Sequence, residues 1–446
     1  MGIKVCKFGG TSLADAVQIQ KVQSIVRAEP QRRFIVPSAP GKRFAEDRKI
    51  TELLYLCHAR TQQNLDFDEV FEVIRQRFGQ IVTELGLGLD LDRHLAKVQS
   101  DIVGGASSDY TASRGEYLNG LIIADLLDYT FFDPADLIFF DHHGALDADR
   151  TQQVLGKQLR KVDRAVVPGF FGSGPDGQIK TFSRGGSDVT GAIVARAVAA
   201  DVYENWTDVS GLLQADPHIV TDPKTIDVLS YRELRELTYM GAQVLHEEAV
   251  FPVRHAGIPV NIRNIHDPDN PGTMIVPETS PTAHTGSITG IAGRKDFTVI
   301  AVEKALMNTE IGFARRFLSI LEANNISFEH MPSGIDTMSV VIADSQLAGK
   351  LDRVMQELRQ ECRPDALITY PHMALIATVG HGMAHRPGMA AKLFVALAKA
   401  KINIRMIDQG SSEINIIVGV ETKDFEAAVR AIYASFVNEA SSTESP

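Results

Sequence analysis

Along the first 280 or so residues, short β-branched and aromatic runs alternate with stretches whose apolar positions recur at helical spacing. The runs IKVCKF, RRFIVPSAP, LIFFD, AVVPGFF, DVYENWTD and PVNIRN predict a minimum of six strands, and the helices between them predict an α/β domain around a largely parallel sheet. The segment HDPDNPGTMIVPETSPTAHTGS has no helical period and is dense in Pro, Thr, Ser, Asp and Gly, so it leads out of that domain.

Beyond it the chain repeats itself. A shift of 76 positions sets Phe297 on Met373, Gly312 on Gly388, Phe317 on Leu393, Leu321 on Leu397 and Val340 on Ile416, the register of an internal repeat. The first copy reads as strand FTVIAVE, helix GFARRFLSILEANN, strands SFEHMPS and TMSVVIAD, helix LAGKLDRVMQELRQEC and strand ALITYPH, the βαββαβ order of a ferredoxin-like unit. The second copy runs out after DFEAAVRAIYASF, one strand short. SITGIAG, residues 287–293, has no place in the first copy, and we expect it to close the second, which makes the first an insertion. The expected boundaries are 1–285 for the α/β domain, 294–370 for the first unit, 286–293 plus 371–440 for the second, and 441–446 for a polar tail.

Size and charge narrow the partners. At roughly 150 residues per domain, 446 residues hold two to four domains, each able to bury a core. A net charge of −11, with no Lys/Arg cluster interleaved with aromatics, argues against nucleic acid and toward small molecules. No stretch of about eighteen apolar residues offers a membrane span. The start MGIKVCKFGG lacks the basic and apolar regions of a secretory signal, and Cys6, Cys57 and Cys362 have no metal or disulfide spacing; a reducing, cytoplasmic setting is expected.

Two short stretches carry candidate chemistry. KFGGTS places Lys7 before Gly9 and Gly10 and a helical pattern, where a bare backbone and a helix start suit an anion. SRGGSD repeats the device with Arg184, Gly185, Gly186 and Asp188. In a parallel sheet both turns lie at strand carboxyl ends and converge on one polyanionic site, or they are two unrelated tight turns; the residues alone leave both open. Neither is a P-loop, and no protein-kinase motif set is present. FGSGPDG matches a dinucleotide-binding spacing, but Pro175, Asp176 and Gly177 make turn chemistry and QIKTF is strand-like where such a site needs a helix. The neighbouring His142 and His143 point to opposite faces of an extended segment and read as loop or surface residues rather than metal ligands.

KFGGTS, SRGE at Ser113–Glu116, SRGGSD at Ser183–Asp188, WTDVSG at Trp206–Gly211 and MGAQVLHEEA at Met240–Ala249 together, in this order, resemble the aspartate kinase family. PGMAAKLFVALAKAKINIRMIDQGSSEINI looks like that family's second ACT domain, and the likeness is to monofunctional, amino-acid-regulated members. The resemblance implies an amino acid kinase (carbamate kinase-like) three-layer αβα sandwich with a mainly parallel sheet, followed by two ferredoxin-like ACT domains. It implies transfer of the ATP γ-phosphoryl group, with Mg²⁺, to the β-carboxylate of L-aspartate, the first step toward lysine, threonine and methionine.

By that likeness, Lys7 meets the transferring phosphoryl group, Gly9 and Gly10 bring main-chain N–H groups to it, and Asp188 organises Lys7. Arg184 pairs with a substrate carboxylate, Glu116 takes the α-ammonium, and Ser38, Thr51, Phe170 and Ser187 line the aspartate pocket. Ser12, Thr207, Asp208 and the turn at Asp216 fall on the nucleotide side. So do Leu213, His218 and Gln243, where many members carry Tyr, Arg and Lys, so two fixed positive charges and a ring are missing there. The insertion GKRFAEDRK before Thr51 also departs from the family's shorter loop. For the ACT pair the likeness implies an end-product effector and a homodimer or higher homo-oligomer. Met307, Gly312 and Phe313 lie at a helix start able to receive an α-carboxylate, and Glu329 and Asp336 tilt the expected effector toward lysine over threonine. The competing readings are another small-carboxylate kinase of the same fold, such as a glutamate or acetylglutamate kinase, and an amino-acid sensor that has lost phosphoryl transfer.

Overall fold

A computed structural model describes residues 2–183, 185–242, 245, 247–278 and 287–437. The residues divide into two compact units, one built on residues up to 212 with 225–231 and 245–278, the other on 213–224, 232–242 and 287–437.

The first unit is organised by β1 (Lys4–Phe8), β2 (Arg32–Pro37), β3 (Thr130–Phe131), β4 (Ala165–Val166), the hairpin β5 (Phe171–Ser173) and β6 (Ile179–Thr181), β7 (Val202–Thr207), β8 (Val228–Ser230), β9 (Val260–Asn264) and β10 (Thr273–Val276). Eight of them form one sheet in the order β3-β4-β2-β1-β7-β9-β10-β8, parallel from β3 to β9, with β10 antiparallel to β9 and parallel to β8. Successive side chains of β1 point to opposite faces, and both faces are covered. Cys6 and Phe8 join an apolar core with Ile19, Val22, Leu54, Phe71, Phe78, Leu118 and Ile122, drawn from the helices Ala16–Ala28, Ile50–Gln62, Asp68–Glu84 and Ser108–Leu127. Lys7 points the other way, toward the helix Gly186–Ala197.

LIFFD, expected as a strand, makes only isolated bridges, Phe139 to Ser173 and Phe140 to Leu146. Its aromatic side chains are engaged instead by Arg150, over the Phe139 ring, and by Phe182, beside Phe140. FGSGPDGQIKTF is the β5–β6 hairpin, as its turn residues require.

The second unit carries β11 (Gly290–Glu303), β12 (Thr337–Ala343), β13 (Ala366–Val379), β14 (Met406–Asp408) and β15 (Asn415–Glu421), in the order β12-β11-β13-β15-β14 and antiparallel throughout. β11 and β13 each serve both repeats. Phe297–Glu303 pairs with β12 and Val299–Glu303 with Ala366–Tyr370, whereas Gly290–Gly293 lies opposite Ile376–Val379, in the strand that opens the second copy. The register shifts between these halves, at Arg294–Phe297, where Asp296 has φ +69°. SFEHMPS, expected as a strand, is reduced to the bridges His330–Val341 and Ser333–Met338.

The repeated positions perform matching tasks. Gly312 and Gly388 cap the helices Phe313–Ala323 and Met389–Lys399 at φ +82° and +91°, a conformation that favours glycine, and Phe317, Leu393, Leu321 and Leu397 are all buried beneath those helices. Segments 213–224 and 232–242, expected inside the α/β domain, pack in this unit. Ala215 and Val220 enter its core, the Ile291 N–H donates to Gln214 O at 2.7 Å, and the Thr289 hydroxyl donates to Glu233 at 2.6 Å.

Ile291 ties the early strand to the core of the second copy, alongside Ile376, Leu393, Ile416 and Phe425. Ile291→Ala is expected to destabilise this unit by about 2–4 kcal/mol, the range for emptying a buried aliphatic site. Urea unfolding of the full chain measures it; a change below about 0.5 kcal/mol, typical of a surface position, contradicts the shared strand.

Candidate active site

Three neighbouring parallel strands end together and build the floor of a cleft. β2, β1 and β7 are adjacent, so Ser38–Gly41, Gly9–Gly10 and Thr207–Asp208 emerge along one edge, where open α/β sheets gather ligands. The Ser38 N–H donates to Phe8 O at 3.1 Å, and register sets Lys7 beside Asn205. The Lys7 ammonium, 8 % exposed as a residue, lies 2.6 Å from an Asp188 carboxylate oxygen. Asn205 fixes the pair: its amide donates to the same Asp188 oxygen at 2.8 Å and its carbonyl lies 3.5 Å from Lys7 Nζ. Asp188 stands in the first turn of the helix Gly186–Ala197, so the two glycine turns meet. Arg184 lies outside the described residues.

The first turn differs from expectation in detail. A short 3₁₀ turn, Thr11–Leu13, intervenes before the helix Ala16–Ala28, which is capped by Asp15. The Gly9 N–H is used within the sheet edge, donating to Trp206 O at 3.1 Å, so Gly9 is no free donor to an anion. A Cβ at Gly9 would stand 3.6 Å from Lys7 Nζ, an ordinary contact on the side of the ammonium. Among the described residues, the Gly10 N–H donates to no acceptor and the buried Ser12 hydroxyl has no hydrogen-bond partner.

Opposite this turn, the helix Ser108–Leu127 grips the segment after β2. Asn119 donates to Ser38 O at 2.7 Å, while Glu116, three residues earlier and so on the same face, lies buried with Oε2 unpartnered among the described residues. Burial pushes the Glu116 carboxyl up to about 8, against the opposing pull of the Ala39 N–H and the Arg114 charge. Phe170 is held at φ +83°, rare outside glycine; its N–H donates to Thr190 Oγ1 at 3.1 Å and its carbonyl accepts from Phe182 N at 3.0 Å. Ser187 stands beside it, and Thr51 opens the helix Ile50–Gln62. Glu116, Phe170 and Ser187 thus gather around the edge that carries Lys7 and Ser38.

Below the cleft, Glu204 locks the register of the same strands. Burial alone would raise its carboxyl; Arg32 at 2.8 Å and Lys4 at 3.1 Å outweigh that and hold it low. Trp206 Nε1 donates to it at 2.9 Å. A separate cavity of about 720 Å³ lies at the tip of the β5–β6 hairpin, lined by Asp109, Asp141, Asp176, Lys180 and both His142 and His143.

Known proteins bear on this arrangement directly. Residues 2–264 match the amino acid kinase family and residues 376–436 an ACT domain. Aspartokinase 3 of Bacillus subtilis is 39 % identical over 456 residues, covering 97 % of this chain and 98 % of its own. The chain belongs to the amino acid kinase family, among its aspartokinases. The crystal structure of Clostridium acetobutylicum aspartate kinase superposes with a TM-score of 0.90 at 55 % identity, covering 98 % of this chain and all of its own. Escherichia coli aspartokinase III in complex with aspartate and ADP superposes at 0.72 with 26 % identity, covering 97 % and 99 %.

The remaining family positions fall in two places. Thr207 ends β7 and Asp208 follows it, with the Thr207 hydroxyl 3.2 Å from Asp208. Leu213, Asp216 and His218 belong to the second unit and are all exposed, and Asp216 accepts the His218 N–H at 2.8 Å; Gln243 lies outside the described residues. In the first ACT-like half, Met307 and Phe313 are buried beside Gly312. Both expected effector acids already have partners: Glu329 accepts the Tyr239 hydroxyl and lies 3.9 Å from Arg294, and Asp336 accepts the Leu306 N–H at 2.8 Å.

Sequence reasoning missed Asn205 and Asn119. Asn205 had a readable signal, since it directly precedes Trp206 at the end of a strand whose neighbour carries Lys7.

The Glu116 carboxyl gives a prediction with a definite sign. Its folded pKa, about 8, lies above the ordinary 4.5, so its stabilising contribution is complete below about pH 4.5 and lost as pH rises through 8. Glu116→Gln, which does not titrate, is expected to gain stability relative to the parent chain by on the order of a few kcal/mol between pH 5 and 9. Urea unfolding across that range measures it; a pH-independent difference contradicts the buried, neutral carboxyl.

Proposed function

We propose that the chain transfers the γ-phosphoryl group of ATP to the β-carboxylate of L-aspartate, giving 4-phospho-L-aspartate. The observation that carries this reading is the Lys7–Asp188 pair, which joins the two glycine turns at the sheet edge in a chain of the aspartokinase group. An aspartate carboxyl ordinarily titrates at ~3.9, so the acceptor is already ionised at neutral pH and the site needs no general base. What it must supply is alignment and neutralisation of the phosphoryl charge. Lys7 is the cation for that charge and Asp188, steadied by Asn205, holds the ammonium in place.

Gly10, rather than Gly9, supplies the main-chain donor. Glu116 receives the substrate's α-ammonium, Arg184 its α-carboxylate, and Ser38, Thr51, Phe170 and Ser187 surround the rest. Ser12, Thr207, Asp208, Leu213, Asp216, His218 and Gln243 make the nucleotide side. Magnesium bound with ATP would supply further neutralisation of the phosphate charge that Lys7 faces. An amino-acid effector, lysine before threonine, acts through the first ACT-like half at Met307, Gly312, Phe313, Glu329 and Asp336. Escherichia coli aspartokinase III, solved with lysine and aspartate, superposes at a TM-score of 0.71 with 25 % identity and supports this choice. Because Glu329 and Asp336 are engaged within the chain, an effector ammonium would have to displace those contacts or add to them. A cytoplasmic homodimer, or a larger homo-oligomer, completes the reading.

Trapping the acyl phosphate with hydroxylamine tests the reaction. Product is expected with Mg·ATP and L-aspartate and not with L-glutamate or N-acetylglutamate; the reverse selectivity, or no product, contradicts it. In the same assay, saturating lysine is expected to lower turnover or aspartate affinity at least several-fold, the scale of ordinary allosteric coupling. Inhibition by threonine alone contradicts the choice of lysine.

A further inference from the structure

The insertion before Thr51 leaves the sheet edge at Gly41 and returns at Ile50, whose N–H donates to Pro40 O at 3.2 Å. Underneath it lies Arg77, on the helix Asp68–Glu84, with a side chain only 3 % exposed. Its guanidinium donates to three main-chain carbonyls: Arg48 at 2.8 Å, Ala14 at 3.1 Å, and Gly41. Asp47 lies 3.4 Å away and also accepts from Arg43 at 2.9 and 3.1 Å. The three carbonyls come from two segments. Ala14 ends the turn that begins at Gly9, while Gly41 and Arg48 bracket the insertion.

Those segments touch directly. The Gly41 N–H donates to Gly10 O at 2.7 Å, and a Cβ on Gly41 would stand 2.5 Å from the Gly10 carbonyl carbon, so only glycine allows the approach. A planar guanidinium with five N–H donors can bind carbonyls on both sides of such a contact; an ammonium lacks that fork. Phosphoryl transfer in turn requires donor and acceptor within about 3–3.5 Å and in line, and a misplacement near 1 Å costs on the order of 10²-fold in rate.

We propose that Arg77 is a positioning residue for the transfer reaction, clasping the Gly9–Ala14 turn to the Ser38–Gly41 loop and so fixing the spacing of phosphoryl donor and carboxylate acceptor. The proposal rests on the aspartokinase reading above. It extends to Thr51, which the returning insertion places at its helix start.

The test uses the full chain in the hydroxylamine assay, with Arg77→Met, Arg77→Lys and, independently, Gly41→Ala, each held well below its own unfolding temperature. Arg77→Met is expected to lower kcat about 30- to 100-fold while KM for ATP and aspartate stays within about threefold, since alignment is lost rather than ground-state binding. Arg77→Lys recovers part of kcat. Gly41→Ala, which wedges the clasp open from the other side, reproduces the loss in kcat. Variants with lowered unfolding temperature but kcat within about threefold of the parent, or with losses confined to KM, make Arg77 a stabilising staple only and overturn the proposal. Should Arg77→Met fail to fold, Arg77→Lys and Gly41→Ala decide by the same split. A parent chain that forms no hydroxamate overturns the aspartokinase reading and the proposal with it.

Discussion

An ion pair between Lys7 and Asp188 joins two segments of the first unit 181 positions apart. It depends on parallel pairing. Lys7 lies beside Asn205 only because β1 and β7 share a register, and Asn205 then orients the carboxylate that meets the ammonium. Slipping that register by one residue would turn Lys7 into the apolar core under the helix Ala16–Ala28 and put a hydrophobic side chain in the cleft. The Glu204 cluster guards against this from below: it engages Lys4 and Cys6 of β1 and Arg32 of β2, cross-strand contacts specific to the observed register, while Trp206 of its own strand steadies the carboxylate.

The second unit solves a different constraint. The two copies share two long strands that change role midway, β11 at Arg294–Phe297 and β13 near His372, so five strands serve both. His372 has φ +59°, and Asp296 lies at a comparable angle where β11 shifts register. The two copies are therefore joined by continuous main chain and one sheet, so a displacement in either has a direct mechanical route to the other. Segments 213–224 and 232–242 add to this unit two stretches that sequence order would place elsewhere.

Much of this was legible in the sequence, because local signals and tertiary demands agree. The glycine turns, the repeat register and the missing strand of the second copy can all be read from residue types and spacing, and the positive φ angles at Gly312 and Gly388 explain why the repeat keeps glycine there. LIFFD and SFEHMPS mislead for one reason: each has strand composition, but neighbouring strands offer only isolated bridges, and side-chain packing decides their conformation. The Gly9 N–H, spent on Trp206, is invisible without the sheet. So are the partners of Glu329 and Asp336, since nothing in a sequence says whether an acid is already engaged. Arg77 falls in the apolar stripe of its helix, between Ile74 and Ile81, but the main-chain carbonyls that receive its guanidinium there cannot be read from spacing.

A double-mutant cycle in kcat bears most directly on the central pair. Lys7→Met and Asp188→Asn are each expected to reduce kcat by on the order of 10²-fold or more, and the double variant should be little worse than the poorer single one, because the two side chains act as one unit. Independent, multiplying losses would contradict that, and would mean that the two glycine turns do not work as a single site.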